Sequence, residues 1–288
     1  MSVAAGVTAV ARRRSWAGVR RTTSPTLIVS AAVIVAATFV AIAGPLLAPY
    51  NPDLPQLSDY FVGPSPEHLV GFDAQGRDVL SRLLVGARTS MIGPLAVTLI
   101  CMTLGSLLAV TAAWRGGAYD AVISSGLDII FAFPGILLAV LAAAVFGAGL
   151  LAPVLALSVA YTPYVARVLR GAALRERAQQ YVAALEVQGA SSIAICLRHL
   201  IPNMLHLIVA QATTLFGYAM VDLAAISYLG LGIQPPAADW GVMVSENQQG
   251  IIQGYPIPSL AAGVCIVIVV VAFNILGERL YERGEARR

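Results

Sequence analysis

Apolar runs of helix-spanning length, separated by shorter polar segments, set the pattern of this chain. A hydrocarbon layer about 30 Å thick is crossed by about 20 helical residues. Runs of that order lie at Thr22 to Pro52, Thr89 to Trp114, Ile129 to Ala166, His199 to Ala238 and Asn247 to Gly277. The third is long enough for parts of two helices hinged near Gly147 and Gly149, so the pattern predicts about six spans. The expected fold class is an all-α integral membrane protein. Its expected layout is a cytoplasmic tail at 1–25, a first anchor at 26–49, an extracytoplasmic loop at 50–88, the remaining spans at 89–278 and a cytoplasmic tail at 279–288.

Composition points the same way and excludes some chemistry. Of the 288 residues 58% are hydrophobic and 11% charged, against about 25% charged in soluble domains. All 18 basic residues are arginine. Without a lysine the chain builds neither a P-loop nor a Schiff base, so any ATP hydrolysis that drives it belongs to another chain. Six spans put both termini on one side; fifteen arginines then share that side, leaving Arg77, Arg82 and Arg88 opposite. The positive-inside rule makes the arginine-rich side the cytoplasm. The apolar run after Arg12, Arg13 and Arg14 is too long for an export signal and has no small-x-small cleavage site before Pro45, so it reads as an uncleaved anchor. Cys101, Cys196 and Cys265 are scattered, without metal-ligand spacing, and read as buried small apolar residues.

The polar stretch Val168 to Pro202 carries its own pattern. Arg175 to Val187 are almost all good helix formers, with little bulk at Ala183 and Ala184. Gly189 can take the positive φ that ends a helix, Ser191 or Ser192 can cap the next, and Pro202 blocks continuation of an existing helical ladder. A helix–turn–helix results, whose small side chains admit another surface with Arg175, Arg177 and Glu186 at its rim. The competing reading is an ordinary interhelical loop rich in alanine, which periodicity by itself favours.

Gly189, nine residues, then His199-x-Ile201-Pro202 resembles the "EAA" loop of permease subunits in binding-protein-dependent ABC importers. Ala183-Ala184-Leu185 stands where that family has Glu-Ala-Ala. Two further stretches are similar to the C-type subunit of the dipeptide/oligopeptide/nickel branch: "HLVGFDAQGRDVLSRLLVGARTS" from His68, with Phe72 in place of the usual threonine, and "ISYLGLGIQPPAADWGVM" from Ile226. With "LDIIFAFPGILLA" from Leu127, the likeness covers nearly everything after Leu47. The resemblance implies the type I importer permease fold and a non-catalytic pore subunit. It implies a second homologous permease, two ATPase subunits that carry ATP and Mg, an external substrate-binding protein, and no nucleic-acid partner. This chain itself would bind no cofactor and no metal. The ATPase-docking loop, at about 171–203, would comprise Ala183, Ala184, Leu185, Glu186, Gly189, Ala190, His199 and Pro202. Dipeptides or oligopeptides are the implied cargo, with nickel or another small solute as the alternative.

Other residues leave two readings open. Asp222, inside an apolar run, lines the pore or gate, or else is a carboxylate bonded to neighbouring helices. Val79, Leu80, Leu83 and Leu84 share a helical stripe, with Asp78 and Arg82 as an i,i+4 pair. This predicts an amphipathic helix on the outer membrane face, or an extension of the second span with snorkelling arginines. Either places Arg77 and Asp78 near a binding-protein contact. Pro134 kinks the third span, for packing or for gating. Trp240, with Tyr255, suits an interfacial belt on the outer side and a binding-protein contact. His199 and His206 read as structural. A lone ion-coupled transporter would need intramembrane ionisable groups, and only Asp222 qualifies. A membrane hydrolase would need H-E-x-x-H or G-x-S-x-G, and neither occurs.

Overall fold

The protein is described here by a computed structural model covering residues 25–56 and 59–285, with the side chains of 284 and 285 left aside. Nearly all of the expected N-terminal tail, with its five arginines, lies outside these residues, as do Arg287 and Arg288. Among the described residues every regular element is helical apart from one β-bridge between Phe72 and Asp78. Five units are long and apolar enough to span a membrane: α1 (Pro25–Leu47), α2 (Val79–Arg115), α5 (Leu151–Arg177), α7–α8 (Ser192–Tyr228) and α11 (Ile257–Glu285). A further pair, α3 (Gly117–Phe131) and α4 (Gly135–Phe146), is long and apolar enough only together and meets at 74°, the geometry of a broken span or a re-entrant loop. Short helices α6 (Gln180–Val187), α9 (Trp240–Glu246) and α10 (Gln248–Ile252) lie in the connections.

Helix α2 has 37 residues, or roughly 55 Å at 1.5 Å per residue, well beyond the bilayer core. It begins at Val79, ten residues before the span expected from Thr89. The stripe around Val79 is therefore the first turns of α2, which settles the two readings for the extension and against a separate surface helix. Helix α2 packs most extensively on α5, and their close approach needs Gly105, where a Cβ would fall 2.6 Å from Val165 Cγ1. One core joins α2, α5 and α8 through Val97, Leu157, Leu169, Leu215 and Ile226. A second joins α1, α2, α8, α9 and α11 through Met91, Phe216, Trp240, Met243 and Val269. Outward-facing Val35, Phe39 and Ile42 of α1 remain exposed, as lipid contact requires.

Two prolines act differently from expectation. Pro134 does not kink a continuous span. It stands between α3 and α4 as the residue that opens α4, because its ring disfavours helical φ/ψ in the residue before it. Pro202, expected to stop a helix, sits inside one: the chain is helical from Ser192 through Tyr228. The preceding residues Cys196–Leu200 form a π-helical turn, in which the Ile201 N–H reaches Cys196 O. That wider turn accommodates the N–H that proline lacks. The hinge at Gly147 and Gly149 lies, as expected, between α4 and α5.

Candidate functional site

Two assemblies stand at opposite ends of the bundle. At the first, hereafter the loop end, α5 finishes beside the last turn of α2, where Arg177 Nη1 donates to Ala113 O at 2.7 Å and stacks over Trp114. A cation there meets the negative end of the α2 dipole. Arg177 is thereby turned into the bundle and does not rim the loop, whereas Arg175 and Glu186 are exposed.

Helix α6 follows after a two-residue break. Its Val182 is buried and its Leu185 packs on the core, while Ala183, Ala184 and Val187 face out. Gly189 has φ +80°. Its N–H bonds Glu186 O and the Ala190 N–H bonds Leu185 O, both at 3.0 Å. This is the paired-bond helix stop that glycine makes at low cost. Ser191, rather than Ser192, caps α7 by accepting from the Ala194 N–H at 3.3 Å. The expected helix–turn–helix is present. Its outer surface sets the apolar Val187, 90% exposed, and Ile193, 72% exposed, among small and polar side chains that include Glu186 and Gln188.

A buried acid mounts this loop on two spans. Glu176, on the last turn of α5, accepts from the Tyr181 hydroxyl and from Asn203 Nδ2, each at 2.8 Å. Asn203, on α8, also reaches the Tyr181 oxygen at 3.1 Å. Burial, and then the bond to Glu176, push the Tyr181 hydroxyl above its usual pKa, so it stays a neutral donor. His199 is half-buried in the π-helical turn, near the Tyr181 ring. None of Glu176, Tyr181 and Asn203 stood out in the sequence, because their meeting depends on how α5 and α8 pack. The one available signal was a lone acid among arginines in "RERAQQY".

At the other end, residues 48–56, 59–78 and 229–256 fold into a cap. The stretch from His68 to Arg82 is its frame. Wholly buried Asp73 accepts from the backbone of Gln75 and Arg77 at 2.9 Å and from Arg77 Nε at 2.8 Å. Arg77 and Arg82 both donate to Glu246 Oε2 on α9, at 2.7 and 3.1 Å. Arg82 also bonds the carbonyls of Pro52 and Pro236 at 3.2 Å. Asp78 caps α2 through the Ser81 N–H at 2.7 Å and meets His68 Nδ1 at 2.9 Å. Gly76, at φ +69°, passes so close to Gln56 that a Cβ would lie 1.8 Å from its carbonyl oxygen. The buried arginines thus each have carboxylate and carbonyl partners, which is what makes charge tolerable there.

Several expectations are corrected by this geometry. Asp78 and Arg82 are not paired along the helix, and Arg82 does not snorkel: its side chain is fully buried. Arg77, Asp78 and Trp240, taken as candidate binding-protein contacts, are each 4% exposed, so these side chains frame the cap from within. Trp240 belongs to no interfacial belt, since its Nε1 donates to Leu83 O at 3.0 Å inside the bundle. Its neighbour Asp239 caps α9 and accepts from Ser90 Oγ at 2.7 Å. Burial pushes that carboxyl above its usual pKa, against the opposing pull of its donors.

Between the two ends, Asp222 on α8 accepts a hydrogen bond from the Tyr161 hydroxyl on α5. Of its two readings, the interhelical bond is the one the geometry contains. Cys101 is buried, and Cys196 and Cys265 are half-buried free thiols. Among the described residues no three metal-ligating side chains converge.

Residues 102–287 match the family model described as binding-protein-dependent transport system inner membrane component. The chain belongs to this family. The matched segment runs from within α2 to the end of α11 and contains the loop with its Glu176 mount. The chain is similar to the dipeptide transport system permease protein DppC of Alkalihalophilus pseudofirmus, 36% identical over 254 residues, 88% of this chain and 83% of the relative. It is also similar to the glutathione transport system permease protein GsiD of Pectobacterium atrosepticum, 35% identical over 218 residues, 76% and 72% of the two chains. The Escherichia coli GsiD is 35% identical over 245 residues, 84% and 80% of the two. This chain is thus a multi-pass inner membrane transport component.

Proposed function

We propose that this permease is the pore-forming subunit of an ATP-driven importer for short peptides. It pairs with a second homologous permease, two ATPase subunits grip the α6–α7 loop, and an external binding protein delivers cargo to the cap end. Both termini and the loop end face the cytoplasm, the side toward which fifteen arginines lie. ATP and Mg belong to the ATPase subunits. The peptide assignment rests on the dipeptide and glutathione permeases it resembles.

The observation that carries the reading is the mounted loop. Its exposed face of Ala183, Ala184, Val187 and Ile193 is apolar enough to dock, while Glu176 ties it to both α5 and α8. When the ATPases close on nucleotide, a pull on α6 passes through Tyr181 and Glu176 to α5, and through Asn203 to α8. The Tyr161–Asp222 bond joins the same two helices farther along. The loop therefore drives two pore helices as one body, a two-state element biased from a distance.

Gly189→Val tests this. A β-branched residue at φ +80° costs about 1–3 kcal/mol, so the turn relaxes and the docking face shifts. In proteoliposomes holding the full complex, ATP hydrolysis continues while dipeptide uptake falls. Undiminished uptake with normal stimulation of the ATPase by the loaded binding protein would overturn the assignment.

A further inference from the structure

Asp128 on α3 and Arg167 on α5 form an ion pair that the mechanism above does not use. Arg167 Nη2 lies 2.5 Å from Asp128 Oδ1, and its guanidinium also covers the Phe131 ring at 4.8 Å. Both side chains are open, 65% exposed for Asp128 and 56% for Arg167. A second pair, Arg170 with Asp120, sits nearer the loop end and is more enclosed.

Depth makes this exposure informative. Helix α5 has 27 residues, roughly 40 Å, so about 10 Å or seven residues exceed a 30 Å core. If all of that excess lay on the loop side, the hydrocarbon boundary would fall near Arg170, and Arg167 would still be inside it. Any tilt, or any excess on the cap side, carries Arg167 deeper. Asp128 lies eleven residues into α3, roughly 16 Å from its start. An arginine can snorkel, but an aspartate has one methylene and cannot. A half-open charge at that depth costs about 3 kcal/mol against lipid, so the face that bears the pair looks onto water.

A cavity opens at the same place. It measures about 440 Å³ and lies among α2, α3 and α5, with Ala109, Ser124, Leu127 and Pro163 in its walls and the Asp128–Arg167 pair among its lining residues. On α5 the exposed side chains are apolar toward the cap, at Leu151, Leu155 and Val159, and polar toward the loop, at Tyr164 and Arg167.

We propose that Asp128 and Arg167 line the cytoplasmic half of the translocation path and bind the charged ends of a passing peptide. Arg167 takes the C-terminal carboxylate and Asp128 the N-terminal ammonium. The pair closes on itself when the path is empty. A zwitterion replaces two charge-assisted bonds with two others, so it is neither trapped nor repelled. The ligand half of this proposal rests on the peptide reading; the placement on water does not.

Two measurements on the full complex in proteoliposomes test the halves separately. With Cys101, Cys196 and Cys265 replaced by serine, Ser124→Cys and Asp128→Cys are exposed to a membrane-impermeant charged methanethiosulfonate reagent. Both positions are expected to react, and to be protected by saturating dipeptide during turnover. Absence of reaction at both, in a complex that still assembles, would overturn the water-lined placement whatever the cargo. Uptake of a free dipeptide and of its C-terminal amide is then compared, each relative to the unmodified chain. Arg167→Gln should slow the free acid roughly tenfold more than the amide, the loss of one charge-assisted bond. Equal slowing of both would overturn the ligand role and leave the pair as a tether. Reaction at both cysteines with no dipeptide uptake by the unmodified chain would overturn the peptide reading and keep the placement.

Discussion

Tyr181→Phe isolates the link between the docking loop and the spans. Phenylalanine keeps the ring that packs near His199 and removes only the hydroxyl, which donates to Glu176 at 2.8 Å and accepts from Asn203 at 3.1 Å. Glu176 keeps its bond from Asn203, so the acid is not stranded and the fold is spared. A hydrogen bond to a charged acceptor contributes about 1.5–3 kcal/mol. The half-open position of Tyr181 puts its bond near the lower figure. Couplings between distant sites are typically about 1–3 kcal/mol, so losing this bond removes a large part of what the loop transmits. The assay is the number of ATP molecules hydrolysed per dipeptide imported, which should rise severalfold. Since the Tyr181 hydroxyl is held above its usual pKa, the unmodified chain should show no coupling loss from this group as pH rises to about 9, below the ordinary tyrosine value near 10. An unchanged ATP-to-peptide ratio in Tyr181→Phe would refute the mechanical role of the Glu176 mount, even with docking intact.

Two further substitutions probe the cap and the midsection. Arg82→Met removes one of the two arginine donors to Glu246, which keeps Arg77, and takes the Arg82 donor from the carbonyls of Pro52 and Pro236; the loss should cost about 1.5–3 kcal/mol, read as a lowered thermal midpoint of the purified complex, and an unchanged midpoint would mean the network is not structural. Asp222→Leu strips the Tyr161 hydroxyl of its acceptor and should destabilise by about 1–3 kcal/mol, while Asp222→Asn keeps an acceptor and should restore the midpoint. If Asn restores stability but not uptake, the charge itself serves transport.

The family resemblance was legible in short motifs, yet the reason for those motifs was not. "GFDAQGRD" looks on paper like an exposed polar loop with free charges. In three dimensions Asp73, Arg77, Asp78 and Arg82 are buried partners of residues from 52 to 246. Solvation misled the reading: charged residues between apolar runs are ordinarily on the surface, and only the folding of both connections over one another encloses them. Trp240 was misplaced on the same ground. Pro202 failed for a different reason, since the effect of a proline depends on whether the preceding turn can widen.

Local chemistry alone determined the long apolar helices, the hinge at Gly147, the stop at Gly189 and the cap after it. Each depends on the residues within a turn or two, through helix length, positive φ and the reach of a serine hydroxyl. Which polar groups meet was decided by packing: Glu176 with Tyr181 and Asn203, Asp128 with Arg167, Tyr161 with Asp222. A hydrogen bond between helices needs two side chains at one depth and on facing sides. Crossing angle and rotation set both, and these follow from close contacts such as Gly105 against Val165, which no periodicity along the chain encodes.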